Sequence, residues 1–122
     1  MSNTDREITV VVLEPGKAPR ARRLVSSLEN MQELVGGYIE YLAIDLPGLG
    51  VFSLYLNEEG KLRDLPFNRL ILGGADALVG TAFISQGDDE GDEIGLTKEE
   101  AEAITARIRT TDRYQAPIDF PV

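Results

Sequence analysis

The chain has 122 residues, 43% hydrophobic and 27% charged, with a formal net charge of −9. This is the length and balance of one globular domain with a modest core. It contains neither cysteine nor histidine, which excludes disulfides, thiolate nucleophiles, Cys/His zinc sites and Ser-His-Asp triads.

A general acid or base would have to be Asp, Glu, Tyr or Lys, and a metal site would be all-oxygen, suited to Mg²⁺ or Ca²⁺. The expectation is therefore a non-enzyme with no cofactor and no metal. No apolar run approaches the ~20 residues that span a bilayer, and residues 1–7 are polar, so a cytoplasmic protein without a membrane partner is expected. The charge is unevenly spread. Residues 1–24 hold five bases and three acids, residues 25–85 eight acids and three bases, and residues 86–103 eight acids and one base. Direct nucleic-acid binding is not expected, because phosphate recognition needs clustered Lys and Arg. Such a balance suits solubility, a basic partner, or mimicry of a polyanion.

In chain order, the β-branched run of residues 8–13 predicts a central strand buried on both faces. Glu14-Pro15-Gly16-Lys17 ends it as a turn. This is not a phosphate loop: no glycine stands five before Gly16, and Ala18 follows Lys17. Residues 18–23 are basic, and Pro19 opposes a helix there.

Ser26 and Glu29 have capping-box spacing. Leu24, Leu28, Met31 and Val35 then recur at helical spacing until Gly36-Gly37 stops the helix. Residues 38–44 and 51–56 read as an antiparallel strand pair around the loop 45–50. Asn57-Glu58-Glu59-Gly60 is a turn.

Beyond it, Leu62, Leu65, Phe67 and Leu70 are expected to pin an irregular path around Pro66 to the core. Residues 78–84 read as one strand with a bulge at Gly80. An acidic loop, residues 86–93, is expected to be solvated and flexible; glutamate stands where a calcium-binding EF-hand loop needs glycine. Thr97 and Glu100 form a second capping box with Leu96 and Ala101 as a staple, and Ala101, Ile104 and Ile108 a buried stripe.

The most pointed local chemistry lies in residues 57–69. Asn57 and Asn68 both donate and accept, Lys61 and Arg63 add charge, and Arg69 offers a planar fork suited to carboxylate or phosphate. Asn57, Lys61, Asn68, Arg69 and Thr81 are therefore the candidate ligand-binding residues. Against them stands a purely structural role, in which Asn57 shapes a turn while Asn68 and Arg69 tie the segment to backbone carbonyls and to Asp64 or a sheet-edge group.

Five stretches together carry a family resemblance. They are Glu14-Pro15-Gly16-Lys17; Gln32-Glu33-Leu34-Val35-Gly36-Gly37-Tyr38-Ile39-Glu40; Asn57-Glu58-Glu59-Gly60-Lys61-Leu62; Leu65-Pro66-Phe67-Asn68-Arg69; and Gly80-Thr81-Ala82-Phe83-Ile84. In this order the chain resembles the domain of unknown function 3846 family, small proteins of phage, prophage and mobile-element genomes. The resemblance covers roughly residues 8–84 and implies a mobile-element accessory protein. It supplies no reaction and no catalytic residue. The acidic stretch 86–95 and the tail depart from the pattern.

The expected fold is α+β, in one domain, 1–122. A mostly antiparallel sheet of about four strands carries two helices over one face, in the order β-α-β-β-coil-β-α. The ordered core is expected over about 7–110, with the tail 111–122 extended or flexible. The first strand could pair in parallel through the helical crossover. The expected function is a non-enzymatic interaction module for a host protein, polyanion mimicry being one form of it. The alternative is a small anionic ligand or nucleotide binder using the 57–69 segment. An exposed sheet edge could also support a homo-oligomer.

Overall fold

In a computed structural model that describes residues 6–71, 74–113 and Ile118, seven strands and two helices run in the order β-β-α-β-β-β-β-β-α. They are β1 (Glu7–Leu13), β2 (Arg20–Val25), α1 (Leu28–Val35), β3 (Ile39–Leu46), β4 (Gly50–Asn57), β5 (Phe67–Ile71), β6 (Asp76–Val79), β7 (Ala82–Ser85) and α2 (Lys98–Arg113). The fold is α+β. A five-stranded sheet has the order β2-β1-β7-β4-β3, and β5-β6 form a separate two-stranded ladder. The main sheet thus has one more strand than the expected four, and α2 runs past the boundary expected near residue 110. Most of the tail lies outside the described residues. Within it Ile118 is buried, donates its N–H to Leu70 O and bridges Ile71 in parallel.

The alternation of β1 explains its continuous apolar run. Val11 and Leu13 join Ile44, Phe52, Leu54 and Ile84 on the face covered by Ala101, Ile104 and Ile108 of α2. Ile8, Val10 and Val12 join Leu24 and Phe83 on the other face, beneath Met31 and Val35 of α1. The two helices therefore cover opposite faces, not one. A strand buried on both sides reads as a nearly continuous apolar run, broken in β1 only at Glu7 and at half-buried Thr9. Ile104 and Ile108 are fully buried, and truncating either to alanine would cost about 2–5 kcal/mol.

β1 is antiparallel to both neighbours, β2 and β7, which replaces the suggested parallel crossover. β2 arises from the basic stretch that had no predicted element. Arg20, Arg22 and Arg23 are exposed and only Leu24 is buried, so no apolar alternation marks the strand. Charge on an edge strand also disfavours pairing with another chain.

The α1 cap is Ser27, not Ser26: its hydroxyl accepts from Asn30 N at 3.1 Å. Ser26 is still part of the preceding ladder, donating its N–H to Arg6 O at 2.8 Å. Leu28 is consequently turned outward. Gly36 closes the helix in the left-handed conformation, φ 83°, with its N–H on Gln32 O. At α2 the expected reciprocal box is present, Glu100 N to Thr97 Oγ1 at 3.0 Å and Thr97 N to Glu100 Oε1 at 2.9 Å.

The single strand expected at 78–84 is divided. β6 pairs with β5, whereas β7 enters the main sheet between β1 and β4. The chain changes sheets at Gly80, where φ is +74° and a Cβ would lie 2.7 Å from Leu65 Cδ1. Both the conformation and the close approach require glycine.

Candidate functional site

The 57–69 segment separates into two halves with different tasks. In the first, Asn57 is buried at the end of β4. Its Nδ2 donates to Val35 O at 3.2 Å and its Oδ1 accepts from Glu59 N at 2.8 Å. Arg63 Nη1 donates to Gly36 O at 2.8 Å. These two side chains satisfy carbonyls that the end of α1 leaves open. Lys61 lies on the surface in an ion pair with Asp76, and Leu62 is 86% exposed.

In the second half the apolar-anchor expectation is reversed. Phe67 and Leu70 are exposed and Leu65 is half-buried, while Asn68 and Arg69 are the buried residues. The register shifts between Phe67 and Arg69, and a bulge of this kind turns consecutive side chains toward the same side. Asn68 Nδ2 donates to Leu13 O at 2.9 Å and to Gly80 O at 2.6 Å. Arg69 makes a two-pronged pair with Asp112, Nε to Oδ1 at 2.8 Å and Nη2 to Oδ2 at 2.7 Å. Its Nη2 also reaches Lys17 O at 2.9 Å and its Nη1 reaches Asn68 Oδ1 at 2.6 Å. One guanidinium thus ties β5 to the β1–β2 turn and to α2.

Asn68 and Arg69 also border an open cavity of about 620 Å³. Its walls are Gly16, Lys17 and Ala18 of the β1–β2 turn, residues 67–70 of β5, and Arg109 and Asp112 of α2. Of the five sequence candidates, the structure brings only Asn68 and Arg69 to this cavity. Asn57, Lys61 and Thr81 do not border it. Lys17, Arg109 and Asp112 were missed as site residues. Asp112 had a signal: it continues the Ile104–Ile108 stripe by four residues, and a carboxylate at a stripe position implies a buried cation opposite.

A second polar cluster lies on the α1 side of the sheet. Tyr55 stacks on Phe83, centroids 5.1 Å apart, and meets Tyr41 edge-on at 5.7 Å. Its hydroxyl donates to Glu93 Oε1. Burial, followed by the bond to the Glu93 carboxylate, pushes the Tyr55 phenol well above its ordinary 10.0. Glu93 Oε2 and Ser85 Oγ are buried without a partner among the described residues.

The loop that carries Glu93 closes on itself. Asp88 Oδ1 accepts from Glu90 N and Asp92 N, both at 2.9 Å, Asp88 N donates to Asp92 O, and Gly87 bridges Glu93. The acidic stretch forms a hydrogen-bonded turn, and its residues 88–92 are exposed to solvent as expected. Among the described residues the five ion pairs use the carboxylates of Glu7, Glu14, Asp76 and Asp112; none belongs to residues 86–103.

Among the described residues no group of three Asp or Glu is placed to hold a metal ion, and no helix is long and apolar enough to cross a membrane. Comparison with curated proteins and with solved structures gives no match. The family model described as domain of unknown function (DUF3846) matches residues 8–109, and the chain belongs to that family.

Proposed function

We propose that the protein is a cytoplasmic, non-enzymatic interaction module, an accessory protein of phage or mobile-element type that engages a basic surface of a host protein. The observation that carries this reading is the combination of order and unpaired charge at residues 86–103. The acidic loop is held closed by Asp88 and tethered to the sheet through Glu93. Its remaining carboxylates have no cation within ion-pairing distance among the described residues. A cluster of exposed carboxylates without paired cations gives a strong local potential toward a cationic partner. The form of this interaction closest to polyanion mimicry is one in which the partner is itself a DNA-binding protein.

The test uses the full chain immobilised against host lysate, beside a variant carrying Asp89→Asn, Glu90→Gln and Asp92→Asn. Asp88 stays intact because it closes the loop. A partner retained by the parent, released by salt and lost on the variant supports the reading. Retention by both proteins, or by neither, overturns it. Mimicry adds that DNA competes for the same partner.

The cavity favours a second reading, in which a small anion binds beside Asn68 and Arg69. Lys17 and Arg109 bring two positive charges to its walls, and the charge of Asp112 is matched by Arg69. In this form the ligand site moves from the 57–69 segment as a whole to the end of that segment, the β1–β2 turn and the last turns of α2.

A further inference from the structure

We propose that the cavity between the β1–β2 turn, β5 and α2 recognises an organic anion built on a flat ring, the ring lying on Phe67 and the anionic group held between Lys17 and Arg109. This inference rests on the second reading above and names its ligand class. The cavity's volume of about 620 Å³ falls within the range of small-molecule sites, roughly 300–1,000 Å³. That is far more room than an inorganic anion fills.

Its chemistry is divided in the way such a ligand requires. Phe67 is 57% exposed and Leu70 39%, so an aromatic face and an aliphatic side chain stand in water on the β5 wall. A flat ring laid on them removes apolar surface from water and gains an aromatic contact.

The charged walls are available as well. The Lys17 side chain is 69% exposed and its ammonium is 3.8 Å from Glu14, a loose surface pair of small energy. Arg109 has no ion-pair partner among the described residues. Arg69 spends four of its N–H groups on Asp112, Lys17 O and Asn68. A guanidinium has five, and the remaining one, on Nη1, has no partner among the described residues. Arg69 borders the cavity already ordered by its other bonds, so that wall loses little side-chain freedom when a ligand binds.

Amide-detected NMR titrations of the full chain test the inference with three probes: phenyl phosphate, inorganic phosphate and benzyl alcohol. Phenyl phosphate is expected to shift the amides of Lys17, residues 67–70 and Arg109 saturably, at roughly tenfold lower concentration than either half-molecule. Lys17→Ala with Arg109→Ala, two exposed positions, should weaken it by roughly tenfold or more with an unchanged thermal midpoint. Phe67→Ala should weaken phenyl phosphate and leave inorganic phosphate alone. If inorganic phosphate binds these residues as well as phenyl phosphate does, the ring assignment fails while the anion reading stands. If benzyl alcohol binds as well as phenyl phosphate, the anion assignment fails. If no probe shifts these amides at about 20 mM, weaker than any useful affinity, both fail.

Discussion

Arg69 and Tyr55 each reach from the sheet region to a polar segment distant in sequence, but the two tethers are finished to different degrees. Arg69 meets a carboxylate with both prongs of its fork, a backbone carbonyl and an amide oxygen, and it is 8% exposed. Tyr55 makes one bond to Glu93 and leaves the second carboxylate oxygen buried without a partner among the described residues. A buried charge stabilises its surroundings only when its hydrogen-bonding capacity is met. The first tether therefore acts as a structural joint. The second holds a loop while leaving part of the desolvation cost uncompensated.

The largest effect is expected at the joint itself. Arg69→Met removes donors from Asp112, Lys17 O and Asn68 at once. Because Asp112 remains about one-third exposed, the loss should fall near the lower end of the range for broken buried pairs, about 3 kcal/mol. Urea denaturation measures it as a shift in midpoint at constant slope. Adding Asp112→Leu should restore a good part, because the uncompensated carboxylate is then gone. A double variant no better than the single one would show that Arg69 acts through its bonds to Lys17 O and Asn68.

Asn68→Ala should cost less, about 1–3 kcal/mol, since it leaves two neutral acceptors, Leu13 O and Gly80 O, without their donor. It should also loosen the point where the chain passes from the small ladder to the main sheet. Faster hydrogen exchange at β7 amides, beyond the change at β1, would show this.

At the other tether, Tyr55→Phe keeps the stack on Phe83 and deletes only the hydroxyl. A cost of about 1 kcal/mol at neutral pH is expected, with a sign that depends on pH. The folded protein holds the Tyr55 proton more tightly than the unfolded chain, whose phenol titrates near 10.0. Below that pH both states are protonated and Tyr55 contributes no slope. Above it the unfolded chain loses the proton first, so stability falls as pH rises. Tyr55→Phe should flatten this alkaline limb. Equal slopes in parent and variant between pH 9 and about 11 would mean that Tyr55 titrates normally.

Much of this architecture is legible from local pattern. The continuous apolar run of β1, the β3–β4 pair, the glycine stop of α1 and the capped, striped α2 each follow from residues within a turn or two of one another. What escapes the sequence is set at long range. β2 shows no alternation because arginines stand on both of its faces, Arg20 and Arg22 on the side of Leu24 and Arg23 on the other. β5 reads as coil in the sequence because its buried residues include Asn68 and Arg69, and a polar residue signals burial only once its partners are known. Those partners lie 55 residues away at Leu13 and 43 away at Asp112. The apolar letters Leu62, Phe67 and Leu70 misled for the same reason. Hydrophobicity marks a preference for burial, while the bulge and the buried ion pair decided which side chains turned inward.

The smallest effect is expected at the remaining charged contact of this segment, Lys61 with Asp76. Both are at the surface, where a pair gains little over hydration and is screened by salt. Asp76 Oδ1 also accepts from its neighbour Ala77 N at 2.7 Å. The bond from Lys61, and after it the one from Ala77, holds the Asp76 carboxyl below its ordinary 3.8. A lowered folded value gives stability that is present above the unfolded titration and lost as pH falls through the folded one. Lys61→Ala should therefore leave the neutral-pH midpoint within experimental scatter. Its trace should appear instead in an NMR titration of the Asp76 side chain, whose midpoint should move up toward 3.8 and stop short of it. The Ala77 N–H survives the substitution and continues to favour the ionised form. A large loss of stability at neutral pH would place Lys61 with Arg69 among the joints and break the contrast between a surface ion pair and a buried one.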